Sequence, residues 1–386
     1  MGRTYQQIVD EAKQQIVEID VADVSRLMDA GAAIIDIREF DEYTQGAIEG
    51  ATFVPRGMLE LRINAVVPDI DTPVILYCAG GGRSALAARD LTAMGYSNVM
   101  SLEGGFDGWK TSGAGWEVPG GLTQRQRGQY ARHLALPEIG EEGQLALLKA
   151  RVLLIGAGGL GSPVALYLAA AGVGTIGIVD SDRVDISNLQ RQIMHTTQRI
   201  GHLKVDSASQ AIAAINPDVT VVRHAERLVA ANVLDILDGY DVIVDGADNF
   251  PTRYLLNDAS LHTNTPVVHG SVYRFEGQVT VFSPWQGPCY RCLFPQPPPP
   301  ELAPNCATAG VLGVLPGIIG SLQALEAIKL VLHLGDSLSG RLLTYDALDQ
   351  HFMELRLERD PDCAACGRDG TRPALVDYDD LCVAQA

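Results

Sequence analysis

Apolar positions along this chain fall into short runs bounded by polar and glycine-rich turns, and the repeat switches between strand-like and helix-like spacing. Ala33–Asp36 and Val74–Cys78 are short apolar runs that read as buried strands. Between and beside them, stretches such as Arg83–Met94 repeat their apolar residues at helical spacing, and a charged helix over about Tyr5 to Val17 precedes the first strand. The alternation predicts an α/β unit over residues 1–118. Ser112–Gly121 is rich in glycine with one proline and reads as a linker ending at 119–121. A second unit, 122–386, opens with a helix holding Arg125–His133. The strand Arg151–Ile155, a glycine turn, the helix Pro163–Ala171 and the strand Thr175–Val179 follow. That order predicts a βαβ unit of a doubly wound parallel sheet. Pro297–Pro300 can be neither helix nor central strand and is expected as an exposed extended loop, with a helix over Leu315–Leu332 beyond it. No internal repeat is visible.

Composition narrows the picture. With 386 residues, 47% hydrophobic and 20% charged, the chain has material for more than one large core. A formal charge of −18 argues against nucleic-acid binding through a basic surface, but leaves room for a local cationic pocket. No apolar run reaches the roughly 18–20 residues of a membrane span, so no membrane association is expected. Met1–Asp20 mixes Gln, Glu, Asp and Lys and has no signal-peptide core. A reducing cytoplasm is the expected location.

Four of the seven cysteines form two Cys-x-x-Cys pairs, Cys289/Cys292 and Cys363/Cys366. Four soft thiolates in two distant pairs are the ligand spacing of one tetrahedral structural Zn²⁺. Two reducible dithiols or two disulfides are the other readings. Cys78, Cys306 and Cys382 remain as candidates for sulfur chemistry.

The glycine turn is Gly156-Ala-Gly158-Gly159-Leu-Gly161. Glycines there permit a tight turn and close approach of a polyphosphate to the following helix N-terminus. Asp180 ends the next strand, where a carboxylate can accept ribose hydroxyls. That much fits any nucleotide, NAD included. Asn188-Leu-Gln-Arg191-Gln192 and Gly201-His-Leu-Lys204 then bring two cations close in sequence, which suits a triphosphate better than a dinucleotide. Val244-Asp-Gly-Ala-Asp248-Asn249 ends another apolar strand, where Asp248 could hold Mg²⁺ on the phosphates. Asp245 reads equally well as a turn cap.

With these motifs in family order, residues 122–386 resemble the MoeB/ThiF family of ubiquitin-activating-enzyme-like adenylyltransferases. Further matching stretches are Gln129-Tyr-Ala-Arg132-His133, Asp180-Ser-Asp182, Glu276-Gly-Gln278, Pro288-Cys-Tyr-Arg-Cys292 and Cys363-Ala-Ala-Cys366. The resemblance implies a homodimer that binds ATP and Mg²⁺ and adenylates the C-terminal Gly-Gly carboxylate of a ubiquitin-like sulfur carrier. It further implies that Asp180 holds ribose and that Arg191 and Lys204 hold phosphates. Asn188 belongs to the same nucleotide set, Asp248 supports the metal and the chemistry, and Arg132 reaches into the partner subunit's site. Gln129 stands where the family motif has arginine.

Leu76-Tyr-Cys78-Ala-Gly-Gly-Gly-Arg83-Ser84 ends a strand and starts a helix. Loop amides, a helix N-terminus and Arg83 there favour a thiolate or persulfide anion. A cysteine merely buried at a strand end is the plainer reading. Residues 14–118 resemble a single-domain rhodanese, through Cys78, Gly81 and Arg83, Asp36-Ile-Arg38 with Glu42, and Gly104-Gly-Phe-Asp-Gly-Trp109. The resemblance implies a transferable sulfur on Cys78 and a bracing role for Asp36 and Arg38. Gly46-Ala47-Ile48 replaces a usual Gly-His-Ile, a change expected to affect packing. Cys306, in Pro304-Asn-Cys-Ala-Thr-Ala-Gly310, matches the family's crossover-loop cysteine, which implies a second thiol in the transfer.

The expected activity is therefore adenylation of a carrier, followed by conversion to a thiocarboxylate with sulfur from a cysteine desulfurase persulfide or thiosulfate. The carrier expected is the molybdopterin synthase small subunit, with thiamin, cysteine or siderophore pathway carriers as alternatives. A nicotinamide dehydrogenase, a non-catalytic carrier-binding scaffold and an enzyme acting on transfer RNA are further readings that the motif set disfavours. In other proteins of this combined architecture the rhodanese unit follows the adenylating unit; here it precedes it.

Overall fold

The computed structural model describes residues 2–296, 310–368 and 372–378. The proline run and Cys306 and Cys382 lie outside them. The chain divides into two compact units, Met1–Leu134 and Ala135–Ala386. The helices Gln124–Gln129 and Ala131–Leu134 group with the first unit, so the division falls later than the glycine-rich segment.

The first unit carries strands β1 (Val17–Ile19), β2 (Ala33–Asp36), β3 (Ala47–Ile48), β4 (Thr52–Phe53), β5 (Val74–Tyr77), β6 (Val99–Leu102) and β7 (Trp116–Glu117). Five form a parallel sheet in the order β1-β6-β5-β2-β4. Side chains alternate across a strand, and here both faces are covered. Val74, Leu76 and Cys78 enter one core with Leu59, Ile63 and Leu91; Ile75 and Tyr77 enter the other with Leu102, Phe106 and Trp109. The N-terminal helix is shorter than the sequence pattern indicates. It covers Tyr5–Lys13, because Val17 already pairs with Met100 in β1. Part of the presumed linker is also structured: β7 pairs antiparallel with β3, and Trp116 meets Phe106 edge-on.

The second unit carries β8 (Arg151–Ile155), β9 (Thr175–Val179), β10 (Thr220–His224), β11 (Val242–Asp245), β12 (Val267–Tyr273), β13 (Glu276–Phe282), β14 (Arg341–Asp346) and β15 (His351–Arg356). Their order is β10-β9-β8-β11-β12-β13-β14-β15; the pairs from β10 to β12 are parallel and the last three pairs antiparallel. The chain runs outward from β8 in both directions, so β8 and β11 flank a topological switch point, where open α/β sheets bind ligands. Val152 and Leu154 pack on one face, and Leu153 and Ile155 on the other.

The helix Leu315–Leu332 is long and apolar enough by composition to cross a membrane. It instead packs against β12, β13 and the helix Gly161–Ala171, with Leu315 and Ile319 in the core. Its buried polar residues have partners: Gln323 donates to the Asp245 and Val268 carbonyls, and Glu326 accepts from Lys329 and the Leu338 amide.

Candidate active sites and metal centre

At the switch point a cavity of about 310 Å³ opens between the ends of β8, β9 and β11. It is lined by Gly156, Gly158, Gly159, Asp180, Arg191, Lys204 and Asp248, residues drawn from five separate sequence motifs. The glycine turn has no room for side chains. Gly156 has φ +96°, and a β-carbon at Gly161 would stand 2.1 Å from the Gly156 carbonyl oxygen. Among the described residues four acids and four bases line the cavity, so it is charge-balanced within a chain of net −18. Within that balance Arg191 and Lys204 supply local positive charge that the net charge alone hides.

Asp180 Oδ2 accepts from the Ala157 amide at 2.8 Å, and its Oδ1 accepts from the Asp182 amide at 2.8 Å. Its carboxylate is thereby fixed against the glycine turn. Lys204 is buried, with Nζ 2.8 Å from Asp182 and 4.0 Å from Asp180. Arg191 is half-buried and donates to the Ser187 carbonyl at 3.1 Å. Asp248 stands exposed at the cavity mouth; Asn249 reaches it at 3.4 Å while capping the helix Phe250–Thr263 through the Thr252 amide. Asp245, three residues earlier, points elsewhere. It is buried and accepts from the Ala247 amide at 2.9 Å and from His269 Nδ1 at 2.7 Å. Burial, the largest single influence, pushes its carboxyl upward, but the His269 hydrogen bond, the charges of His269 and Arg253 and the Ala247 amide together leave it lowered.

Two candidates from the sequence are placed differently. Asn188 does not line the cavity; its side chain accepts from the Asp185 amide and closes a short turn. Arg132 is exposed on the helix Ala131–Leu134. Conversely, the cavity includes side chains that the motif reading passed over. Arg253 lines it, donates to the Ala247 carbonyl at 2.8 Å and lies 3.8 Å from Asp245. Its position one helical turn after Asn249 was the available signal. Gln192 also lines it, with Oε1 buried and no hydrogen-bond partner among the described residues. His195 bridges the Ala157 carbonyl and Ser207 hydroxyl at 2.9 and 2.8 Å, tying the glycine turn to the helix Lys204–Ile215. Burial lowers its pKa, so it is held neutral.

In the first unit Cys78 is buried at the end of β5, its Sγ 3.6 Å from the Ser84 hydroxyl. The helix Gly82–Ala93 starts directly after the loop. A second helix start backs the loop from behind: the Phe106 amide donates to the Cys78 carbonyl at 2.7 Å and the Asp107 amide to Ala79 at 3.0 Å. This approach requires glycine at 105, where φ is +57° and a β-carbon would lie 2.4 Å from the Cys78 carbonyl oxygen. Arg83 makes a two-pronged pair with Glu42, both contacts 2.7 Å. The pair raises the Arg83 pKa, with a smaller contribution from Cys78, and lowers that of Glu42 to about 2. Arg38 and Asp36 form a buried ion pair at 2.6 Å, with Arg38 also holding the Gly46 carbonyl, so they brace the fold. Ala47 is buried in β3, a packing position.

Cys289, Cys292, Cys363 and Cys366 converge, with all four Sγ atoms within 4.8 Å of one another. All four are free thiols, and the close contacts are 3.7 Å (289–363), 3.9 Å (289–292) and 3.4 Å (292–366). Four sulfurs around a tetrahedral ion at about 2.3 Å stand about 3.8 Å apart, so the donor set fits zinc. The Cys292 pKa is lowered by its sulfur contacts with Cys289 and Cys366, and the Asp360 amide, which donates to its Sγ, adds to this. Arg359 ties the cluster down by donating to the Trp285 and Cys366 carbonyls.

The ThiF family profile matches residues 130–365, more than half of the chain. The chain belongs to the ThiF family. A rhodanese-like domain matches residues 20–112. The sulfur carrier protein adenylyltransferase of Thermus thermophilus is 49% identical over 265 residues, covering 67% of this chain and 98% of that protein. The adenylyltransferase and sulfurtransferase MOCS3 of Sus scrofa is 50% identical over 266 residues, covering 69% of this chain and 58% of that protein. Among solved structures, E. coli MccB with MccA-N7isoAsn superposes with a TM-score of 0.56 at 20% identity, over 62% of this chain and 75% of that one; it shares the fold. This ThiF-family chain with its rhodanese-like unit is thus an enzyme, an adenylyltransferase and sulfurtransferase.

Proposed function

We propose that the protein activates the C-terminal Gly-Gly carboxylate of a ubiquitin-like sulfur carrier with ATP and then converts it to a thiocarboxylate with sulfur carried on Cys78. The carrier is assigned as the small subunit of molybdopterin synthase. The observation that carries the reading is the single cavity that gathers the glycine turn, Asp180, Arg191, Lys204 and Asp248 on the same chain as the Cys78 loop.

In the first step a carrier carboxylate oxygen attacks the α-phosphorus of ATP. The new P–O bond forms as the bond to the β-phosphate breaks, and pyrophosphate leaves with the electron pair. Asp180 accepts from ribose, the turn amides and helix start meet the phosphates, and Arg191 and Lys204 neutralise charge developing there. Asp248, exposed and only weakly held by Asn249, offers hard oxygen ligands to Mg²⁺, which when bound would offset phosphate charge. In the second step the outer sulfur of a Cys78 persulfide attacks the acyl carbon and AMP leaves. A second thiol, assigned to Cys306, then attacks Cys78 Sγ. It forms a disulfide and frees the thiocarboxylate, and a cellular dithiol reduces the disulfide. The outer sulfur comes from a cysteine desulfurase persulfide or from thiosulfate. Zn²⁺ in the four-cysteine cluster joins two segments of the adenylating unit, and a homodimer brings Arg132 to the partner's site. The thiol chemistry calls for a reducing compartment.

The test is ATP–pyrophosphate exchange with each purified carrier, followed by mass spectrometry of the carrier after adding thiosulfate. Exchange and replacement of one carboxylate oxygen by sulfur are expected with the molybdopterin synthase subunit. Exchange with a thiamin, cysteine or siderophore pathway carrier alone reassigns the pathway, and exchange with none overturns the reading.

A further inference from the structure

The Cys78 loop lacks a side chain at its fifth position, Gly82, which is the first residue of the helix that follows. The space over Gly82 is not open. A β-carbon there would stand 2.6 Å from the Tyr5 hydroxyl oxygen and 3.7 Å from Val9 Cγ2. Both residues belong to the N-terminal helix Tyr5–Lys13, which precedes the rhodanese-like match at 20–112.

That helix is firmly seated. Thr4 and Gln7 form a reciprocal capping box at its start. Val9 and Ala12 are buried, and Lys13 pairs with Glu18 of β1 at 2.7 Å. The helix packs on Gly82–Ala93, the helix that carries Arg83. Nevertheless Tyr5 is 58% exposed, although burying an aromatic ring would contribute roughly 1.5–3 kcal/mol. Its ring is therefore held at the surface with its hydroxyl directed at the loop rather than into a core. The neighbouring Gly80 is exposed and has nothing within 4 Å of its β-position among the described residues, so the loop beside Tyr5 is open there.

We infer that the N-terminal helix is part of the sulfur site, and that Tyr5 takes the place of the missing loop side chain as a residue that determines which donor enters. A phenol donates one hydrogen bond and presents an apolar face. Beside Arg83 it suits a small oxyanionic sulfur donor such as thiosulfate: Arg83 meets the charge and Tyr5 donates to an oxygen. Because two Arg83 nitrogens are already held by Glu42, Arg83 contributes charge while the Tyr5 hydroxyl contributes the selecting hydrogen bond. The inference rests on Cys78 being the sulfur carrier of the proposed function.

The experiment uses the full chain with thiosulfate and cyanide, comparing wild type, Tyr5→Phe, Gly82→Ala, Tyr5→Ala and the Tyr5→Ala/Gly82→Ala pair. Tyr5→Phe keeps the packing and is expected to raise KM for thiosulfate about fivefold with kcat unchanged, the signature of a lost binding contact. Gly82→Ala is expected to lower kcat/KM about tenfold by driving Tyr5 from its seat. The Tyr5→Ala/Gly82→Ala pair is expected to be little worse than Tyr5→Ala alone, since the two changes share one space and remove the same contact. An unchanged KM in Tyr5→Phe overturns the donor role, and additive effects in the double variant overturn the shared seat. Mass spectrometry of the wild-type protein after thiosulfate separates the two levels of the argument. If wild-type Cys78 gains sulfur neither from thiosulfate nor from a cysteine desulfurase persulfide, the proposed function fails; if it gains sulfur from thiosulfate and the variants match wild type, or gains it from the persulfide alone, only the role of Tyr5 fails.

Discussion

Arg83 shows how one side chain serves two partners. Its guanidinium grips Glu42 with two short hydrogen bonds and also feels the Cys78 sulfur. Glu42 fixes the direction of the guanidinium, much as a carboxylate orients a histidine in other sites. The pair is about one-third exposed, so its contribution to stability is small, on the order of 0–1 kcal/mol. Its pH dependence is nonetheless readable. The Glu42 carboxyl lies at about 2, below the roughly 4.3 of a free glutamate. A depressed acid stabilises the fold above its unfolded pKa and loses that contribution as pH falls through the folded value. Glu42→Gln is therefore expected to lower Tm slightly at neutral pH, with the gap to wild type closing between about pH 4.3 and pH 2. A gap that widens on acidification would show that the pair does not hold the loop.

At the scale of elements, the two Cys-x-x-Cys pairs come from segments 74 residues apart and fold onto one cluster. Leu261, Trp285 and Ala365 pack around the sulfurs, a small core that buried hydrophobics alone would hold weakly. Metal binding there contributes directly to folding. Metal analysis of protein purified without chelator is expected to find about one zinc per chain. Cys363→Ala is expected to lose the metal and to lower the Tm of the adenylating unit by several degrees. Protein free of zinc with an unaltered melting curve in the variant would leave the cluster as four unused thiols.

For the molecule as a whole, the nucleotide cavity and the Cys78 loop lie in separate compact units, each with its own sheet and its own pair of cores. The two half-reactions should therefore be separable by single substitutions. Asp248→Ala is expected to cut carrier-dependent ATP–pyrophosphate exchange by about 100-fold or more, while thiosulfate-to-cyanide transfer stays near wild type. Cys78→Ala is expected to do the reverse: exchange survives, and thiocarboxylate formation from thiosulfate collapses. Excess free sulfide can bypass the second loss by attacking the acyl-adenylate. Loss of both activities in either folded variant would show that the units do not act independently.

The sequence by itself determined the α/β class, both sheets' central strands, the glycine turn and the two cysteine pairs. These are local: a turn needing φ > 0, a five-residue apolar run or a Cys-x-x-Cys spacing is written in adjacent residues. β8, β9 and the helix Leu315–Leu332 follow the pattern of their own segments. Only the tertiary structure decided what Asp245 does, because it turns inward to His269, 24 residues away, while Asp248, the residue the sequence motif singles out, remains at the mouth. It likewise brought in Arg253 and sent Asn188 to a local cap. It made a strand of Trp116–Glu117 within a segment whose glycines and proline read as linker, because β3 supplies the missing hydrogen bonds. It also set Tyr5 over Gly82, a contact between residues 77 apart that neither segment announces. The physical reason is common to all of these. Backbone geometry is encoded by neighbours, whereas the direction and partner of a side chain are fixed by whatever distant segment packs against it.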